Sequence, residues 1–108
     1  MALRKILNVR ESALHKTCKS VTNFDDRLHR LLDDMKETLE DAGGVGLAAP
    51  QVGILRRIVV IEKEDGTILE LVNPEIVSQE GEQEGFEGCL SLTGMYGIVE
   101  RPMKVKVK

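Results

Sequence analysis

The stretch Asn23-Phe24-Asp25-Asp26-Arg27-Leu28-His29-Arg30-Leu31-Leu32-Asp33-Asp34-Met35-Lys36-Glu37-Thr38-Leu39-Glu40-Asp41-Ala42-Gly43-Gly44 decides the fold class. Leu28, Leu31, Leu32, Met35 and Leu39 recur at the i, i+3, i+4, i+7 and i+11 spacing that places them on one face of an α-helix. Thr22 or Asn23 suits the N-cap, and Asp25 and Asp26 fall where the helix dipole favours negative charge. Gly43 and Gly44 end the helix, because glycine enters the left-handed conformation without steric cost. The pattern predicts an amphipathic helix over Asn23–Ala42. Upstream, the first twenty residues are weakly patterned apart from a short helical turn around Glu11–Lys16.

Downstream the periodicity changes to that of strands. Ile54–Ile61 is rich in β-branched residues, Glu64-Asp65-Gly66-Thr67 supplies a hairpin turn, and Ile68–Val72 returns as the partner strand. Asn73-Pro74 interrupts and Glu75–Ser78 resumes the strand pattern. Glu80, Glu82, Glu84 and Glu87, interleaved with Gly81 and Gly85, read as an acidic loop. A turn at Thr93-Gly94, a strand around Gly97–Arg101, a break at Pro102 and an alternating strand over Met103–Lys108 complete the pass, and the sequence ends within that alternation. An N-terminal amphipathic helix followed by antiparallel hairpins is an α+β architecture. With no internal repeat or linker, residues 1–108 read as one domain.

Fifteen basic against eighteen acidic residues give a net charge of −3, which disfavours nucleic-acid binding. One Tyr, two Phe and no Trp leave no stacking platform for bases. Apolar runs are short, so no membrane span is predicted. The apolar start is interrupted by Asn8 and Arg10 and does not read as a secretory signal, which makes the cytoplasm the expected compartment. There, Cys18 and Cys89 read as free thiols or metal ligands before they read as a disulfide.

Gly44-Val45-Gly46-Leu47-Ala48-Ala49 matches the letters of a dinucleotide fingerprint, but a helix precedes it, and Pro50 and a strand follow. That order places no helix N-terminus against a pyrophosphate, and no Lys-Ser/Thr pair ends the loop. Nucleotide binding is therefore not expected. The informative residue is Gln51, whose amide ends a run of small residues and can donate to a ligand oxygen from a fixed position. In Glu87-Gly88-Cys89-Leu90-Ser91 a thiol follows a glycine that permits close backbone approach. By itself Cys89 fits either a buried structural thiol or a reactive one.

Taken together, Gly44–Gln51 and Glu87–Ser91 resemble the two upstream motifs of the peptide deformylase family. Ile58-Val59-Val60-Ile61, Leu71-Val72-Asn73-Pro74-Glu75 and Tyr96-Gly97-Ile98-Val99-Glu100-Arg101-Pro102 agree with it. The resemblance implies removal of the formyl group from the N-terminal formylmethionine of nascent polypeptides. It implies a divalent metal, ferrous iron with nickel or zinc as replacements, held by one cysteine and two histidines. Cys89 would be the cysteine ligand, and Gln51 and the backbone N–H of Leu90 would hold the oxyanion. Gly44, Val45, Gly46, Glu87 and Gly88 would contact the substrate, the peptide adding as a strand. The implied partners are the formylated peptide and the ribosome. Such a site is chemically coherent: a metal held by a thiolate and two imidazoles acidifies its water, and each oxyanion donor is worth roughly 3–4 kcal/mol.

The resemblance also implies a His-Glu-x-x-His helix, and the sequence contains none. His15 and His29 both precede the first motif, and His29 lies off the leucine face of the helix, so both read as solvated surface residues. Thr93 stands where the family usually carries proline. The expectation is a deformylase cut before its third motif, holding metal weakly or not at all and turning over little as 108 residues alone. Val105 and Val107 would then lie on an unpaired edge and favour self-association. A non-catalytic module binding peptide N-termini or another protein along the glycine-rich edge is the alternative. A cysteine-nucleophile enzyme would need a base near Cys89, and the motif holds no histidine.

Overall fold

Helix α1 spans Asp26–Ala42 and begins later than the predicted Asn23. Asp25 takes the capping role: its backbone is extended and its Oδ1 accepts from the Leu28 N–H at 3.2 Å. A carboxylate caps as well as the Asn23 amide, and this one sits next to the first buried leucine. The far end closes as predicted, with Gly43 left-handed at φ +69° and the Gly44 N–H donating to the Leu39 carbonyl at 3.3 Å.

The computed structural model describes residues 3–101 and 104–107. A short 3₁₀ turn at Ser12–His15 matches the predicted helical turn. After α1 come β1 (Gly46–Ala48), a 3₁₀ turn at Ala49–Val52, β2 (Ile58–Glu62), β3 (Ile68–Val72), β4 (Ile76–Glu80), β5 (Gln83–Cys89), β6 (Leu92–Arg101) and β7 (Lys104–Val107). The strands form three antiparallel sheets, β1-β2-β3, β4-β7 and β5-β6. The α+β class is as predicted.

The core lies between α1 and the first sheet. Leu28, Leu32, Met35 and Leu39 meet Leu47, Ala49, Ile58 and Val60, with Leu31 at the margin. Alternation places Ile58 and Val60 on the helix side of β2, while Ile61, on the other face, remains partly exposed. Asp34 and Thr38 are buried on the same helix because the N-terminal segment satisfies them. Arg4 pairs with Asp34 at 2.9 Å, and its N–H donates to Thr38 Oγ1 at 2.9 Å.

Several predicted boundaries are corrected. Strand β2 starts at Ile58, not Ile54. The 3₁₀ turn ends at Gly53, φ +84°, and the Ile54 N–H folds back to the Ala49 carbonyl. Lys19 takes the backbone groups of Leu55 and Arg57, so the apolar character of Ile54 reflects packing on the core rather than strand pairing. The β2–β3 hairpin forms as read, with Gly66 at φ +86° and Asp65 Oδ1 accepting from the Thr67 N–H. The acidic segment is not a loop: after a turn at Gly81, φ +68°, β5 pairs with β6 from Gln83↔Arg101 to Gly88↔Tyr96. Glu80 ends β4 and Glu82 lies in the turn, while Glu84 and Glu87 lie in β5, where main-chain pairing with β6 holds the strand and Arg101 engages Glu87. The chain reverses at Cys89–Leu92, so the turn predicted at Thr93-Gly94 lies inside β6, which begins well before Gly97. Strand β7 pairs with β4 (Ile76↔Val107, Gln79↔Val105), so it is not unpaired on both sides. Val105 and Val107 remain 51% and 41% exposed. Pro102, Met103 and Lys108 of the predicted break and last strand lie outside the described residues. Among the described residues no helix is long and apolar enough to cross a membrane.

Candidate active site

Gln51 sits in the 3₁₀ turn immediately after β1, and Cys89 sits at the end of β5, 38 positions further along the chain. The fold brings them together. The Ala48 N–H donates to Gln51 Oε1 at 3.0 Å. Because a backbone N–H can only donate, this bond fixes which end of the carboxamide is oxygen. The other end, Nε2, donates to Ser91 Oγ at 3.1 Å and approaches Cys89 Sγ at 3.8 Å. Cys89 is exposed, which decides against the buried structural thiol. A shift in register between Gly88 and Cys89 lifts the thiol out of the regular ladder.

Gly44 ties the glycine segment to the same place. A Cβ there would stand 2.7 Å from Leu90 Cδ1 and 3.3 Å from Leu39 Cδ1, so the absence of a side chain lets Leu90 pack over the end of α1. Gly46 is different, since its nearest neighbour would be the Val60 carbonyl at an ordinary 3.8 Å. What matters at Gly46 is the backbone. The Glu62 N–H donates to the Val45 carbonyl at 2.8 Å, and Leu47 pairs with Val60. The alternation of antiparallel pairing then turns the N–H and C=O groups of Gly46 and Ala48 to the opposite edge. Ala48 spends its N–H there on Gln51. No strand pairs with that edge among the described residues, and Val45 beside it is 71% exposed.

Glu87 and Gly88 lie on β5 just before the thiol. Glu87 is engaged by Arg101, whose Nε and terminal nitrogen donate to its two carboxylate oxygens at 3.1 and 2.7 Å. These hydrogen bonds hold the Glu87 carboxyl below the ordinary glutamate range and raise the Arg101 guanidinium above its own. A depressed carboxylate pKa means that the pair's contribution is complete above the unfolded value, about 4.3, and is lost as pH falls through the folded value. Carboxyl NMR titration should therefore place the Glu87 midpoint below that of a free glutamate, and Arg101→Ala should return it. A midpoint at the ordinary value in the unaltered protein would contradict the pairing.

The histidines do not join the site. His15 and His29 are exposed, and His15 Nε2 lies 2.6 Å from the Val9 carbonyl. Cys18 lines a separate apolar cavity of about 210 Å³ with Ala48, Pro50 and Val59. Among the described residues no group of three His, Cys, Asp or Glu side chains could hold a metal ion. Cys89 alone does not make up the donor set of a three-ligand metal.

Sequence reasoning missed three contributors. Ser91, 3% exposed, receives the Gln51 amide. The Leu7 N–H donates to the Gln51 carbonyl at 2.6 Å, and the Val9 N–H to the Ser91 carbonyl at 2.8 Å. The adjacency of Ser91 to Cys89 could have flagged it, whereas nothing in the weakly patterned N-terminal segment marks Leu7 or Val9.

A family model described as polypeptide deformylase matches residues 3–108. A peptide deformylase of Caldicellulosiruptor bescii is 56% identical over 108 residues, covering 100% of this chain and 64% of that protein. One of Acetivibrio thermocellus is 55% identical over 108 residues, covering 100% and 63%. The crystal structure of a peptide deformylase from Legionella pneumophila superposes with a TM-score of 0.92 at 48% identity, covering 97% of this chain and 63% of that one. The chain thus spans a little under two thirds of the length of these relatives.

Proposed function

The chain belongs to the polypeptide deformylase family, and from that premise we propose that it carries the formyl-binding half of a deformylase site, acting on the N-terminal formylmethionine of nascent polypeptides. The observation that carries this reading is the convergence of the Gln51 amide and the Cys89 sulfur beside a strand edge with which no strand pairs among the described residues. The peptide adds to that edge, pairing with the outward N–H and C=O of Gly46, which brings its N-terminal formyl group toward Gln51. There the Gln51 Nε2–H and the Leu90 N–H donate to the formyl oxygen, and both bonds strengthen as negative charge builds on it. Gly44 keeps Leu90 seated for that role. Glu87 and Gly88 shape the near wall, with Arg101 fixing Glu87.

The family is metal-dependent, and the Cys89 thiolate is the ligand this chain offers. Ferrous iron is the proposed native metal, with nickel or zinc as substitutes; Cys89 would be one of its ligands, and the bound metal would make a water acidic enough to ionise near neutral pH. With Cys89 the lone candidate ligand at the site among the described residues, these residues by themselves are proposed to hold metal weakly and turn over little. The second reading, a peptide-binding module, rests on the β1 edge, with which no strand pairs among the described residues. Residues 1–108 are proposed to act as one domain, in the cytoplasm and at the ribosome. The outer edge of β7, flanked by Val105 and Val107, is the proposed place of self-association.

The test is formate release from formyl-Met-Ala-Ser with added Fe²⁺ or Ni²⁺. It is run on the chain and on the chain joined to the unmatched part of the Caldicellulosiruptor bescii relative. Turnover by the joined protein is expected, and its absence would contradict the enzyme reading. In the joined protein Gly46→Pro should raise KM by about tenfold, the scale of one lost hydrogen bond, with kcat little changed. The outward-facing N–H of an edge strand is where proline is tolerated, so the fold should persist. An unchanged KM would show that the peptide does not use this edge.

A further inference from the structure

We infer that Ser91 is a positioning residue: its hydroxyl sets the orientation of the Gln51 carboxamide, within a frame that the Leu7–Val9 segment holds together. Three observations combine. The carboxamide is pinned at both ends, Oε1 by the Ala48 N–H at 3.0 Å and Nε2 by Ser91 Oγ at 3.1 Å. Ser91 is 3% exposed, so its hydroxyl is not exchanged for water at little cost, whereas the Cys89 sulfur at 3.8 Å is a longer and softer acceptor on an exposed residue. The backbones carrying Gln51 and Ser91 are joined by one short strap, since Leu7 donates to the Gln51 carbonyl at 2.6 Å and Val9 to the Ser91 carbonyl at 2.8 Å.

A glutamine side chain has three rotatable bonds before its amide. Held by Oε1 alone it could still swing its NH₂ about that anchor. The second anchor removes this freedom and presents one N–H to the hydroxyl, leaving the other directed toward the sulfur, where a substrate oxygen would have to arrive. Orienting a donor before the reaction lets it act without reorganisation at the moment charge develops. Through its backbone the strap matters to the site: it sets the separation of the two backbones that the amide spans. This inference rests on the reading of Gln51 as the formyl-oxygen donor, but its geometric content can be tested apart from it.

The test is the side-chain amide of Gln51 in the ¹H–¹⁵N spectrum of the 108-residue chain, assigned by its loss in Gln51→Glu. In the unaltered protein its NH₂ protons should exchange with water about tenfold more slowly than those of Gln79, which is exposed. Ser91→Ala should abolish most of that protection. In the joined protein it should lower kcat by up to about tenfold with KM nearly constant, the split expected of a donor misplaced for the transition state. A Gln51 pair that exchanges as fast as Gln79 overturns the inference, and so does one unmoved by Ser91→Ala. Should Ser91→Ala fail to fold, the comparison within the unaltered protein still decides. If Ser91→Ala releases the amide while Gln51→Ala leaves formate release intact, the positioning stands and the catalytic reading of Gln51 falls.

Discussion

Gln51→Ala should lower kcat for formyl-peptide hydrolysis by the joined protein by about a hundred- to thousandfold, with KM changed only a few-fold. The expected effect comes from differential binding. The formyl carbonyl of the bound substrate is neutral and accepts weakly, while the tetrahedral species places a full charge on the same oxygen. A donor aimed at that position therefore contributes far more to the second state than to the first. The Gln51 amide is held at Oε1 by Ala48 and at Nε2 by Ser91, so it does not need to reorganise to meet the charge. Equal losses in kcat/KM and in binding would reduce Gln51 to a substrate anchor. No loss would remove it from the reaction.

Met35→Ala should destabilise the fold by about 2–5 kcal/mol, the range for truncating a fully buried methionine. Met35 is 0% exposed and lies among Leu28, Leu32, Leu39 and the buried face of β2, in a core of few fully buried side chains. A domain of this size commands a total of about 5–15 kcal/mol, so the loss is a large fraction of it. The melting temperature should fall by at least about 8 °C, given about 4–8 °C per kcal/mol for a small domain. Leu31→Ala, at the half-buried margin of the same helix, should cost clearly less. Equal costs at the two positions would mean that α1 packs by a different face from the one described.

The helix was legible because its signal is local. Leu28, Leu32, Met35 and Leu39 announce one face by spacing alone, and Gly43 closes it by its φ. The β2–β3 hairpin was legible for the same reason, its turn being written in Asp65 and Gly66. What could not be read was pairing at a distance. Ile54 looked like strand and is core-packed turn, because Lys19, far upstream, occupies the neighbouring backbone groups. The glutamates of β5 looked like loop and are strand, because β6 and Arg101 pair with them. Gln51 and Cys89, which the fold brings together, were legible through two motifs that resemble one family. Ser91 and the Leu7–Val9 strap were not, since main-chain hydrogen bonds leave no mark on residue type.

Gln51 and Cys89 can be tested as one site by a double-mutant cycle on formate release in the joined protein. Cys89→Ser should bring turnover down to near background. Adding Gln51→Ala to it should then cost little more, because residues that serve one step lose their separate effects once that step is disabled. If the two substitutions instead multiplied independently, or if Cys89→Ser kept full turnover, the sulfur and the amide would not belong to the same chemistry.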